Sequence, residues 1–191
     1  MPNLYILAGP NGAGKTTTAF TLLPNFLDCR EFVNADEIAR GISPFNVETV
    51  AFEAGRVMLQ RIDHLLNEQV DFALETTLST RSYVQLIRRA KAVGYQVNLF
   101  FVYLSSPELA IERVQQRVRS GGHSIPADVI VRRYKRGLAN LFQLYLPNCD
   151  FFLFVNNSGN SPVRVAQGGA VHPLEVVDEP LWESLTKSYG K

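Results

Sequence analysis

The chain has 191 residues, of which 46% are hydrophobic and 19% charged, with a formal net charge of +1. This length suits one domain spanning 1–191 with a sizeable core, the composition lies outside the disordered range, and the near-neutral balance gives no overall field for nucleic acid or an anionic membrane. Cys29 and Cys149 form no C-x-x-C pair, no apolar run approaches the roughly 20 residues of a membrane span, and no basic residue precedes the first apolar run. The expectation is a protein with two buried, reduced thiols, in the cytoplasm, with neither nucleic acid nor membrane as partner.

The first predicted strand, "LYILAG" at 4–9, runs into "GPNGAGKTT" and a helix-compatible segment at 15–23. Gly9, Pro10, Asn11, Gly12, Ala13, Gly14, Lys15 and Thr16 match G-x-x-x-x-G-K-[ST] at every fixed position, with Thr17 following. Glycines let the backbone curl so that its N–H groups converge on phosphate oxygens, and the helix behind adds its positive end. Lys15 would reach the β- and γ-phosphates, and Thr16 would hold Mg²⁺ through its hydroxyl. ATP or GTP is the expected cofactor. A guanine-reading N-K-x-D motif is absent.

The second strand, 31–35, leads into "FVNADEIA". In a parallel sheet Asp36 then stands at the carboxyl ends of the strands, on the same edge as the glycine-rich loop. A phosphoryl acceptor hydroxyl needs a carboxylate to orient it and take its proton, and Asp36 is the candidate, with Glu37 the weaker one. Asp is also a favoured helix N-cap, so this reading competes with a purely local one.

Apolar residues recurring every three or four positions predict a long helix over 46–69, interrupted by Gly55, which costs about 1 kcal/mol of helix propensity and points to close packing or ligand approach. The third strand, "FALET" at 72–76, ends on Glu75, Thr76 and Thr77. These could bind acceptor hydroxyls, hold magnesium-bound water, or satisfy a strand-to-helix turn. A helix over 80–93, a strand over 97–104 and helices over 107–119 and 127–146 follow.

Between them lies "RVQQRVRSGGHSIPADVIVRRYKR", 113–136, where Arg113, Arg117, Arg119, Arg132, Arg133, Lys135 and Arg136 meet one acid, Asp128. The segment reads as a helical lid bending at Gly121 and Gly122, whose arginines stabilise charge on a transferring phosphoryl group. For any one arginine a solvated helix face is an equal reading. His123 either contacts phosphate or hydrogen-bonds within the lid turn. A fifth strand, 151–157, ends at Asn157 and Ser158, candidates for the nucleotide base, and the tail around Gly168 and Gly169 reads as a β-hairpin. The fold class is α/β, a P-loop NTPase of kinase type: a mainly parallel five-stranded sheet flanked by helices, with a C-terminal hairpin.

Together "GPNGAGKTT", "FVNADEIA", "FALETTLS", "GYQVNLFFVYLSSPELAIERVQQRV" and "GGHSIPADVIVRRYKRGLANL" resemble the zeta-toxin family of P-loop kinases across residues 4–158. The resemblance implies transfer of a nucleotide γ-phosphate, with Mg²⁺, to a small-molecule hydroxyl. In the family this is the 3′-hydroxyl of the sugar in UDP-N-acetylglucosamine, and a small antitoxin is the inhibitory partner. It implies Lys15 and Thr16 at the phosphates, Asp36 as base, Glu75 and Thr77 near the acceptor, and Arg117, Arg133 and Arg132 as transition-state arginines, with Arg113 beside the nucleotide. Two other readings stay open: a kinase of a different metabolite, and a nucleotide-dependent switch acting through a protein partner.

Overall fold

The computed structural model describes residues 1–190. In chain order the elements are β1 (Asn3–Ala8), α1 (Lys15–Phe26), β2 (Glu31–Val33), α2 (Ala35–Ile42), α3 (Ala51–Glu68), β3 (Phe72–Thr76), α4 (Tyr83–Ala92), β4 (Gln96–Tyr103), α5 (Pro107–Arg119), α6 (Ala127–Asn140), β5 (Phe151–Asn156), β6 (Val163–Gly168), β7 (Glu175–Val176) and α7 (Glu179–Tyr189). One seven-stranded sheet has the order β2-β3-β1-β4-β5-β6-β7. The first five strands are parallel, as expected, and the predicted hairpin, β6 and β7, continues the same sheet antiparallel at its edge.

Alternation along β1 divides the core. Leu4, Ile6 and Ala8 point into the larger cluster with Met58, Ile62, Leu74, Ile87, Leu138 and Tyr145, while Tyr5 and Leu7 face the smaller one with Ala19, Leu23 and Cys29 beneath α1. Both faces of the central strands are covered, which is why they read as continuous apolar runs. Cys29 and Cys149 are buried and unpaired, and burial raises their thiols to about 11 and about 12.

Most predicted boundaries shift by one to three residues, and three of the differences have a plain local form. β2 stops at Val33, because Asn34 leaves the strand to cap α2; its side chain accepts from the N–H groups of Asp36 and Glu37. The helix expected from 46 begins as a 3₁₀ turn over Val47–Val50 and becomes α-helical at Ala51. α6 ends at Asn140 and passes into a π turn over Leu141–Tyr145.

At Gly137 the backbone of α6 lies so close to the end of β3 that a Cβ there would stand 2.4 Å from the Thr77 carbonyl oxygen. One turn on, Asn140 Nδ2 donates to the Leu78 carbonyl at 2.7 Å. Leu78 itself is fully buried at φ 55°. The 77–80 loop is thus held against α6. Gly137→Ala is expected to lower stability by about 1–3 kcal/mol, since a tight backbone contact must open to admit one methyl group; a denaturant titration of the variant reads this directly.

Candidate active site

The sheet order creates the crevice. The chain leaves β1 for β2, two positions away, and returns to β3 between them, so the carboxyl ends of β1, β2 and β3 stand side by side. The register pairs Leu7 with Glu75 and Val33 with Leu74, which brings the glycine-rich loop, Asn34 and the end of β3 to one edge.

The loop takes the conformation its glycines permit. Gly9, Gly12 and Gly14 have φ of 146°, 76° and 87°, and a Cβ on Gly9 would meet the Val102 carbonyl oxygen at 2.2 Å. A cavity of about 490 Å³ opens above it, lined by Asn11, Gly12, Gly14, Lys15, Thr16 and Thr17 from this side. Gly9, Pro10 and Ala13 are buried behind the loop and do not line it. They shape the turn, and Pro10 lends its carbonyl to Lys15 Nζ at 3.0 Å.

Lys15 is 6% exposed and stands 3.5 Å from Glu75 Oε1. Burial pulls its pKa down, and the carboxylates of Glu75 and Asp36 oppose that pull. Thr16 Oγ1 donates to Glu75 Oε2 at 2.7 Å. Of the roles left open for Glu75, the geometry favours the magnesium side: it shares an oxygen with the hydroxyl expected to bind the ion. Among the described residues no group of three or more His, Cys, Asp or Glu converges as a metal site. The Thr16 hydroxyl and the Glu75 carboxylate, hydrogen-bonded to each other, fit an ion arriving on nucleotide phosphates, the usual arrangement for Mg²⁺.

Asp36 is not the cap of α2. Asn34 performs that task, which leaves the Asp36 carboxylate free of the cap; it is 52% exposed, lines the same cavity as Lys15 and Thr16, and has His123 Nε2 at 3.7 Å. Across the cavity lie Glu75 and Thr77, whose hydroxyl is 2.9 Å from that of Ser79.

The expected lid consists of two packed helices joined by a turn. α5 buries Ala110 and Val114, and α6 buries Ile130, Tyr134 and Leu138. Gly121, at φ 86°, ends α5 in the left-handed conformation, and a Cβ on Gly122 would stand 2.6 Å from Arg117 Cγ. The chain so folds back on Arg117, whose Nη2 donates to the His123 carbonyl at 3.1 Å. Arg117 Nε and His123 Nδ1 are buried with no protein partner. Burial lowers the pKa of both side chains, and Asp36, 3.7 Å from His123 Nε2, opposes it.

Arg113, Arg117 and Arg133 line the cavity, and Arg113 is steadied by the Ser158 carbonyl at 3.3 Å. Arg132 does not line it. It lies exposed on α6 at 4.0 Å from Asp128, because Ile130, Tyr134 and Leu138 fix the helix phase and turn Arg133 inward. Arg133→Ala is expected to slow phosphoryl transfer by roughly 10²-fold or more, whereas Arg132→Ala leaves the rate near wild type and changes stability by less than about 1 kcal/mol. Initial rates and melting curves of the two neighbours separate the cases.

Asn157 Nδ2 donates to the Ala13 carbonyl at 2.9 Å, and the residue lines a second cavity of about 530 Å³ with Gly14, Thr17, Thr21, Phe26 and Pro162. Ser158 is occupied with the backbone N–H of Ser105 and with Asn156. The main cavity also includes Asn34, Met58, Ser79, Thr80 and Tyr83, which no sequence motif marks singly.

The zeta-toxin family model matches residues 1–146. An uncharacterized protein of Haemophilus influenzae is 34% identical over 128 residues, 66% of this chain and 88% of that protein. Among solved structures, a chain of the AvrRxo1-ORF1:AvrRxo1-ORF2 complex with sulphate ions has a TM-score of 0.80 at 18% identity, covering 97% of this chain and 64% of that one. The same pair of proteins is also known with ATP, at a TM-score of 0.76 and 19% identity, with the same 97% and 64% coverage. A chain of the PezAT toxin–antitoxin system of Streptococcus pneumoniae aligns with a TM-score of 0.58 at 20% identity, covering 85% of this chain and 72% of that one. This chain therefore spans about two thirds of the AvrRxo1-ORF1:AvrRxo1-ORF2 chain, and at these identities the structural likeness speaks for the fold. With the family model covering most of its length, this chain is a member of the zeta-toxin family and has the fold of a P-loop kinase.

Proposed function

We propose that this protein is a kinase that transfers the γ-phosphate of ATP to a hydroxyl of a small molecule, with a nucleotide sugar such as UDP-N-acetylglucosamine as the leading acceptor. The observation that carries the reading is the freed Asp36 carboxylate, which shares one cavity with Lys15, Thr16 and three arginines. The membership in the zeta-toxin family and the known ATP complex of a similar fold support the choice of ATP. The acceptor sugar rests on the family resemblance.

In this mechanism the loop N–H groups and Lys15 hold the phosphates, and the base of ATP lies in the cavity beside Asn157. Thr16 and Glu75 would hold magnesium, which would neutralise charge on the phosphates. Asp36 accepts the acceptor's hydroxyl proton as that oxygen bonds to the γ-phosphorus and the bond to the β-γ bridging oxygen breaks, releasing ADP. Arg117 and Arg133 offset charge on the equatorial oxygens. Thr77 and its neighbours line the acceptor side. The chain acts as one kinase domain, with the 113–136 segment as its arginine-bearing cover. An antitoxin is the proposed protein partner, by analogy with the named toxin–antitoxin system.

Phosphorus NMR of the protein with Mg²⁺ and ATP, with and without UDP-N-acetylglucosamine, tests the acceptor. A new sugar-phosphate resonance is expected; ATP persisting unchanged in both samples would remove this acceptor.

A further inference from the structure

We infer that Asn34 is a positioning residue that ties the carboxylate on the magnesium side, Glu75, to the helix presenting Asp36; the inference rests on the kinase reading above. A carboxamide carries an acceptor and a donor on one rigid plane. Asn34 uses both: Oδ1 accepts from the N–H of Asp36 at 2.8 Å and of Glu37 at 3.4 Å, and Nδ2 donates to Glu75 Oε2 at 2.8 Å. That same oxygen accepts from Thr16. The side chain lies in a residue only 5% exposed, and its partners leave one orientation for the amide, since a carboxylate needs a donor and a helix N-terminus needs an acceptor. The base-bearing helix and the metal-side carboxylate are therefore held at a fixed separation by one group.

Capping alone would not need asparagine. Serine and aspartate cap a helix about as well, but neither can donate to Glu75 from this place, and aspartate would set a second negative charge against it.

Asn34→Asp and Asn34→Ser separate the roles. Asn34→Ser is expected to melt close to wild type because the cap is kept, and Asn34→Asp lower, since it sets a buried carboxylate beside Glu75. At one fixed pH, Asn34→Ser should turn over ATP about tenfold more slowly at unchanged KM, the loss expected for a hydrogen bond to a charged group, and Asn34→Asp at least as slowly. If both variants turn over ATP at the wild-type rate, Asn34 is a cap only and the inference is overturned. If Asn34→Asp fails to fold, the turnover of Asn34→Ser decides alone. Wild-type protein that does not bind Mg·ATP would overturn the kinase reading itself, and this inference with it.

Discussion

Asp36→Asn is expected to reduce phosphoryl transfer by about 10²–10⁴-fold while leaving ATP affinity close to wild type, the range for loss of a positioned general base. The separation follows from where the residue sits. Asp36 makes no hydrogen bond to the glycine-rich loop or to Thr16, although its charge reaches Lys15, and the cap of its helix belongs to Asn34, so the amide variant keeps the local fold. What it loses is the site for a proton. Single-turnover transfer and ATP titration on the same preparation measure the two quantities; transfer at the wild-type rate would remove Asp36 from the mechanism.

Lys15→Ala is expected to act earlier in the sequence of events, lowering both ATP affinity and transfer, the latter by at least roughly 10³-fold. The ammonium is buried and held by the Pro10 carbonyl and Glu75, so it is already placed at the loop before phosphate arrives. Removing it leaves Glu75 with two hydrogen-bond donors and no adjacent cation, which places an uncompensated negative charge where phosphate should bind. Competition titrations with labelled ATP and initial rates check both effects, and an unaltered affinity would contradict the assignment of Lys15 to the phosphates.

Much of this architecture was legible from local pattern. The first strand, glycine-rich loop and α1 follow from one motif, β3 was delimited at Phe72–Thr76, and α5 at 107–119, because buried parallel strands and amphipathic helices carry their period in the chain. α7 lies beyond the predicted hairpin, in a stretch for which no element is predicted, although Leu181, Trp182 and Leu185 recur at helical spacing after the Asp178 cap. The strand order, with β3 between β2 and β1, joins residues distant in sequence, and no local signal encodes it.

The site was legible in the same uneven way. The residues of the glycine-rich loop, Asp36 and the arginine segment are marked by type and spacing. Which arginine turns inward depends on the packing of α6, and Arg132 and Arg133 are equivalent until Ile130, Tyr134 and Leu138 are seen to be buried. The position of Glu75 beside Thr16 and the double use of Asn34 depend on the β2–β3 and β1–β3 registers. By residue type Asp36 suits the cap as well as Asn34, two positions earlier, and only the backbone path shows that Asn34 takes it.

Transfer to a small-molecule hydroxyl is tested most directly by supplying the protein with Mg²⁺, ATP carrying a radiolabelled γ-phosphate and a small-molecule metabolite extract, beside the Asp36→Asn variant. Label is expected in an organic phosphate ester with wild-type protein and is lost in the variant. Label appearing only as inorganic phosphate, equally with both proteins, would contradict it.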